Sequence, residues 1–177
     1  DSAKPARDFI AFWAASKLTL AGHPESAYTF ANMLSVIEDT VGYRKGFAWL
    51  YPPTFLTFVA PLSLMDYKIA YLVFMLATFL IFIYAARLIA PERKYLLAIL
   101  AFPAIYTVFI YGQNSLLTAA LAMLALHWLP SRPLLAGACI GLLALKPQMA
   151  ALFPLALLVG RQWQALAACA ATFLVTV

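Results

Sequence analysis

Long apolar segments separated by short polar breaks make up the chain from residue 52 onward. The segment 67–90 would rise about 1.5 Å per residue as a helix, which is long enough to cross a hydrocarbon layer of about 30 Å. Most of the other segments are shorter and several contain proline, which indicates broken or partly inserted helices around a cavity. The pattern predicts helices over 53–65, 67–90, 95–110, 113–129, 134–146, 147–160 and from 165 onward.

Residues 1–51 follow a different pattern, with more than half of the charged residues and no apolar run that spans a bilayer. Ser16 and Lys17 point away from an apolar stripe, as expected of a helix at a membrane interface. That stripe predicts the first helix and consists of Phe9, Phe12, Trp13 and Leu20. A second interfacial helix is predicted from Pro24 to Gly42. We interpret 1–51 as a loop domain at the membrane surface and 52–177 as a transmembrane helical region.

The composition excludes a soluble domain, because 65% of the 177 residues are hydrophobic and only 11% are charged. Soluble domains carry roughly a quarter charged residues, so lipid must cover much of this surface. The net charge of +5 is spread singly or in pairs between apolar segments. This spacing favours anchoring at helix ends and argues against nucleic-acid binding. The chain begins without methionine and ends within an apolar run, so we expect both ends to be truncated.

The basic residues also predict an orientation in the membrane. The positive-inside rule places the loop 91–94, Arg132 and Arg161 in the cytoplasm, and it places Gln113 and Lys146 on the outside. The side of the N-terminal loop depends on the segment 53–65. A partial insertion of this segment places the loop outside, whereas a full crossing places it in the cytoplasm.

Asp8 is a candidate catalytic residue, because it directly precedes the aromatic segment of the first predicted helix. A carboxylate in this position is suited to act as a general base toward a hydroxyl substrate. Aspartate is also a preferred helix N-cap. A purely structural role is therefore the alternative.

Lys146 and Gln148 are candidate ligands of an anionic substrate. Lys146 lies in a mostly apolar stretch and is followed by Pro147, which suggests a break between two half-helices. A lysine at such a break is suited to bind a phosphate as a point charge, and Gln148 adds hydrogen bonds. The alternative is a lysine that extends to the lipid headgroups.

Two further polar breaks supply candidate binding residues. Gln113 and Asn114 belong to the break at 111–114, where their amides are suited to bind a hydroxyl-rich ligand or to cap the next helix. Tyr51 precedes two prolines, and this sequence most simply starts a helix.

The sequence gives no support for a metal site or for reactive thiols. His23 and His127 lack partners at ligand spacing, so no transition-metal site is predicted. Cys139 and Cys169 lie in apolar stretches without a CxxC motif, and we expect them to be packing residues.

An ordered set of short motifs resembles a known family. The motifs are RDFIAFWAA, AGHPESAY, YPP, FP, GQN and AGACIGLLALKPQ, and the resemblance extends from Asp8 to Trp163. They resemble glycosyltransferase family 87 of the GT-C superfamily, whose members are polytopic membrane enzymes that use polyprenyl-phosphate sugars. Each motif is only a few residues long, and their order and spacing carry the resemblance.

The resemblance implies an all-α polytopic transmembrane bundle of GT-C type, with interfacial helices in a first extracytoplasmic loop. It implies transfer of a hexose, often mannose, with inversion from a polyprenyl-phosphate donor to a lipid or glycan acceptor. By resemblance Asp8 is the base, and Tyr51, Gln113, Asn114 and Lys146 line or support the donor cavity. No cofactor is implied, and assistance by a divalent metal ion stays open. The expected location is a bacterial inner or plasma membrane, with the active site outside.

Two other classes of function are alternatives. A transporter would also combine broken helices with a lysine and amides at mid-depth. It predicts an internal repeat, which the sequence lacks. A non-catalytic membrane subunit of envelope glycan assembly would have no use for a base at Asp8.

Overall fold

The computed structural model describes residues 8–42 and 47–176, and these residues form helices without a strand. The α-helices are α1 (Phe9–Leu20), α2 (Phe30–Val41), α3 (Pro53–Val59), α4 (Tyr67–Ile89), α5 (Arg93–Ala101), α6 (Pro103–Tyr111), α7 (Ser115–Trp128), α8 (Pro133–Leu142), α9 (Pro147–Ala150), α10 (Leu152–Val159) and α11 (Trp163–Thr176). Short 3₁₀ helices cover Pro24–Tyr28, Ala60–Leu64 and Leu143–Leu145. The predicted all-α class is confirmed. Residues 1–7 and 43–46 of the predicted surface domain lie outside the described residues.

The observed boundaries follow the predicted ones closely, but several predicted helices are split. The predicted helix 147–160 divides at Ala151 into α9 and α10, and the predicted helices 53–65 and 134–146 each end in a 3₁₀ helix. The second predicted helix was wrong as one element, because Thr29 is extended between the 3₁₀ turn and α2. The segment 95–110 breaks at Phe102, since the following Pro103 disfavours helical backbone in the residue before it. Gly42 ends α2 in the left-handed region, with φ of +69°, as predicted.

The chain divides into two compact units. The first unit contains residues 1–77 and 103–113, and the second contains residues 78–102 and 114–177. The long helix α4 contributes residues to both units.

Helix α1 lies in the core of the first unit. All of its residues from Phe9 to Ser16 are buried, so the prediction that Ser16 lies on a polar face was wrong. The Ser16 hydroxyl donates to the Ala60 carbonyl at 2.7 Å and accepts the Ser63 N–H at 2.8 Å. These two bonds satisfy a buried polar group that would otherwise be costly. Leu20, predicted on the apolar stripe, is 49% exposed.

In the second unit, α8 packs closely against α11 through small residues. A Cβ added to Gly137 would lie 2.1 Å from the Ala165 carbonyl oxygen, and one on Gly141 would lie 2.6 Å from the Thr172 Cβ. The two glycines are four residues apart, the spacing that lets apolar helices approach closely. Cys139 and Cys169 are buried, and neither forms a disulfide, in line with the predicted packing role.

The apolar surface of α4 distinguishes it from a helix of a soluble core. Within the described residues, Tyr67–Ile89 is the one helix long and apolar enough to cross a membrane, or one of two spans if α5 and α6 are counted together. Large apolar side chains on α4 are exposed, among them Leu72, Leu76 and Leu80. An exposed apolar helix of this length is typical of a lipid-facing segment. The multi-pass topology remains a prediction.

Candidate functional site

Asp8 lies at the start of α1, and its carboxylate contacts the turn that follows α6. The residue occupies the N-cap position, but no capping bond from its side chain is found in the described structure. Instead, Oδ2 accepts a hydrogen bond from Nε2 of Gln113 at 2.6 Å. The backbone N–H of Asp8 donates to the Tyr111 carbonyl at 2.7 Å. The alternative of a helix cap is therefore wrong for the Asp8 side chain.

The turn after α6 brings Gln113 to this position. Gly112 follows the last residue of α6 with φ of +70°, a conformation that glycine adopts without strain. The N–H groups of Gly112 and Gln113 both donate to the Val108 carbonyl, at 2.8 and 3.1 Å. They satisfy a carbonyl in the last turn of α6, as expected where a glycine ends a helix.

Aromatic side chains of α4 hold the start of α1, next to Asp8. The Phe9 ring contacts the rings of Tyr67, Tyr71 and Phe74 at centroid distances of 5.6, 5.5 and 5.5 Å. The Tyr71 hydroxyl donates to the Phe109 carbonyl and thereby ties α4 to α6. The first turn of α1 is thus held by neighbours on both helices.

Tyr51 contacts α1 one turn further along. Its half-buried ring lies 5.5 Å from the Phe12 ring and 4.8 Å from the Phe55 ring. Its carbonyl accepts a hydrogen bond from the Tyr28 hydroxyl at 3.0 Å. Partial burial raises the pKa of Tyr28. Pro53 begins α3, as the two prolines after Tyr51 predicted.

Lys146 belongs to the second unit, at the break between the 3₁₀ turn Leu143–Leu145 and α9. It is half-buried, and its Nζ donates to Ser115 Oγ at 3.4 Å. Ser115 was not predicted as its partner, because the two residues are distant in sequence. Gln148, two residues after Lys146, is exposed on α9.

Asn114 occupies the N-cap position of α7 in the second unit. Its side chain is fully buried and makes no capping bond within the described ranges, so the predicted alternative of a cap was wrong. Neither its amide nitrogen nor its amide oxygen has a hydrogen-bond partner among the described residues. Leaving such a group unpaired costs about 1–3 kcal/mol, which favours a bound water or polar ligand group there.

An apolar cavity of about 500 Å³ lies within the second unit. Helices α8 to α11 line it. One lining residue is Pro147, which directly follows Lys146 in the sequence. Other lining residues include Gly141, Ala151, Leu166 and Phe173. Its nearly pure apolar lining suits a hydrocarbon chain better than a sugar.

The structure therefore groups the predicted residues in two sets. Asp8, Tyr51 and Gln113 belong to the first unit, and the other predicted residues belong to the second: Asn114, Lys146 and Gln148. No group of three or more potential metal ligands from His, Cys, Asp and Glu occurs in the part of the chain that the structure describes.

The comparison with protein families defines the class of this apolar helical protein, which is a glycosyltransferase. Residues 49–177 match the model of Glycosyltransferase family 87. The match covers well over half of the chain, so the protein belongs to glycosyltransferase family 87, as the motifs predicted. Asp8 and α1 precede the matched residues. Searches against curated proteins and against solved structures found no match.

Proposed function

We propose that the protein is a GT-C type glycosyltransferase of the membrane. It transfers a hexose, in the first instance mannose, from a polyprenyl-phosphate donor to a hydroxyl group of a lipid or glycan acceptor. The family membership supports the transfer of a sugar. The observation that carries the proposal is the Asp8 carboxylate, which accepts a bond from Gln113 instead of capping its own helix.

Asp8 acts as the general base in this proposal. The residue is only partly buried, and the bond from Gln113 engages Oδ2, which leaves Oδ1 for the acceptor. Oδ1 removes the proton of the acceptor hydroxyl while its oxygen attacks the anomeric carbon. The bond between that carbon and the phosphate oxygen breaks, and the lipid phosphate leaves with the electron pair. A single displacement of this kind inverts the configuration at the anomeric carbon.

Lys146 stabilises the leaving phosphate. Its ammonium is half-buried beside a hydroxyl, and a cation in such surroundings binds a phosphate more strongly than one in water. Asn114 and Gln148 supply amide groups in the same unit. The unpaired side chain of Asn114 supports this role, since a polar ligand or a water it holds would satisfy it.

The polyprenyl chain occupies the apolar cavity of the second unit. Pro147 lines the cavity and directly follows Lys146, the proposed phosphate ligand. The phosphate headgroup and the hydrocarbon tail of the donor would therefore bind to adjacent residues. Hydrocarbon buried there contributes about 0.8 kcal/mol per methylene group. An integral multi-pass protein with its site on the extracytoplasmic side fits a donor that is itself a membrane lipid.

The test is transfer of labelled mannose from a polyprenyl-phosphate donor in membranes that contain the full-length protein. We expect Asp8→Asn to lower turnover by about 10²- to 10⁴-fold, the usual contribution of a general base. Asp39→Asn is the matched control, because Asp39 is exposed on α2. Equal turnover of the Asp8 variant and the native protein at equal abundance would remove Asp8 from the mechanism. Absence of transfer by the native protein would show that the donor is wrong.

A further inference from the structure

We infer that Gln113 is a positioning residue for the Asp8 carboxylate, and that it acts through this carboxylate and not as a ligand of the sugar donor. The inference rests on the proposed function of Asp8 and identifies the residue that orients its carboxylate. It also revises the role that the sequence predicted for Gln113, which was substrate binding. Three observations in the first unit carry it.

The first observation is a two-point contact between one turn and one residue. Tyr111 accepts the backbone N–H of Asp8 at 2.7 Å, and Gln113 donates to its carboxylate at 2.6 Å. The backbone bond fixes where the Asp8 main chain lies, and the side-chain bond then selects the direction of the carboxylate. A base held in this way loses less conformational freedom when the acceptor binds.

The second observation is the close approach that Gly112 permits. A Cβ at this position would lie 2.6 Å from the Phe9 Cβ and 3.3 Å from its backbone nitrogen. Both atoms belong to the residue after Asp8, so any side chain at position 112 would push the turn away from α1. The glycine therefore sets the distance between the Gln113 amide and the Asp8 carboxylate.

The third observation is the chemistry of the pair. An ionised carboxylate only accepts hydrogen bonds, so the group at 2.6 Å from Oδ2 is the amide N–H₂ of Gln113. A neutral amide donor orients the carboxylate without neutralising its charge. Among the described residues, aromatic side chains lie beside this turn: Tyr111 ends α6, and the Tyr71 ring of α4 would lie 3.3 Å from a Cβ at position 112. Among neighbouring charged residues of α4 and its entry, Asp66 and Lys68 are exposed.

Steady-state kinetics separate positioning from substrate binding. Gln113→Met keeps nearly the same length and removes the donor. We expect kcat to fall about 10-fold or more, while the KM values for donor and acceptor change less than twofold. Gln164→Met is the control, since Gln164 is exposed on α11. A raised donor KM with an unchanged kcat would instead identify a substrate ligand and overturn the inference.

Labelling of Asp8 tests the same contact without any substrate. A carbodiimide with an amine labels accessible carboxyl groups, and mass spectrometry reports the labelled fraction of Asp8 after a fixed time at one pH. We expect this fraction in the full protein to rise in Gln113→Met, because Oδ2 loses the hydrogen bond that holds it, and to stay unchanged in Gln164→Met. An identical labelled fraction in the Gln113 variant would refute the contact. Because this readout needs no donor, a raised labelled fraction in a protein without mannosyl transfer would separate failure of the proposed function from failure of the inference.

Discussion

Replacement of Gly112 by alanine tests how closely the turn after α6 approaches α1. Two effects add at this position. An L-residue at φ of +70° costs about 1–2 kcal/mol relative to glycine. The new Cβ would also lie 2.6 Å from the Phe9 Cβ, and overpacking of this kind costs about 1–3 kcal/mol. We therefore expect Gly112→Ala to lower the free energy of unfolding by about 2–5 kcal/mol.

Gly22 provides a matched control for this prediction. Its φ is +85°, so alanine there meets the same backbone penalty, but its Cβ would have nothing within 4 Å. We expect Gly22→Ala to cost only about 1–2 kcal/mol. The difference between the two variants isolates the contact with Phe9.

The assay is unfolding of the purified protein in mixed detergent micelles, followed by circular dichroism for both variants. Mannosyl transfer by the same samples reports the consequence for Asp8. A loss of kcat beyond the loss of folded protein is expected for Gly112→Ala alone. Equal destabilisation by the two variants would refute the close approach, and full activity of a folded Gly112→Ala protein would refute its link to the base.

Three further predictions concern the packing and the phosphate site. Ser16→Ala removes the partner of the partly buried Ala60 carbonyl and Ser63 N–H and should lower the free energy of unfolding by about 1–3 kcal/mol, whereas Ser35→Ala on the exposed side of α2 should change it by less than about 0.5 kcal/mol. Gly137→Leu should separate α8 from α11, so we expect the protein to accumulate poorly in membranes; normal abundance and unchanged thermal stability would contradict the packing. Lys146→Met should raise the donor KM about 10- to 100-fold with the acceptor KM unchanged, and Lys68→Met, an exposed lysine, should leave both unchanged.

The helices could be predicted because their signals are local. Apolar run length predicted 67–90, and the structure has Tyr67–Ile89. Proline marked the start of α3 and the break before α6, since its effect on backbone reaches only the adjacent residues. The extended residue Thr29 had no comparable signal, because nothing in its neighbourhood forbids a continuous helix.

The burial of α1 could also have been predicted from the sequence, by a signal other than the apolar stripe. The segment 9–15 reads FIAFWAA and is apolar in every direction, and a helix that is apolar all round is usually buried. Ser16 is also buried there, because its hydroxyl forms hydrogen bonds with the Ala60 carbonyl and the Ser63 N–H of the neighbouring 3₁₀ helix. Ser16 therefore forms hydrogen bonds in the core, whereas the apolar stripe had predicted that it lies on a solvent-exposed face.

The partner of Asp8 could not be predicted, because the contact joins residues that are 105 positions apart. An N-cap is a local preference, and it competes in the folded protein with every donor that packing brings near the carboxylate. Here the amide of Gln113 donates to Oδ2, and in the described structure the first turn of α1 has no capping bond from the aspartate side chain. A helix that forgoes its preferred cap gives up about 1 kcal/mol. The proposed role of Asp8 as the base for the acceptor hydroxyl would give a functional reason for that cost, which a purely structural aspartate would lack.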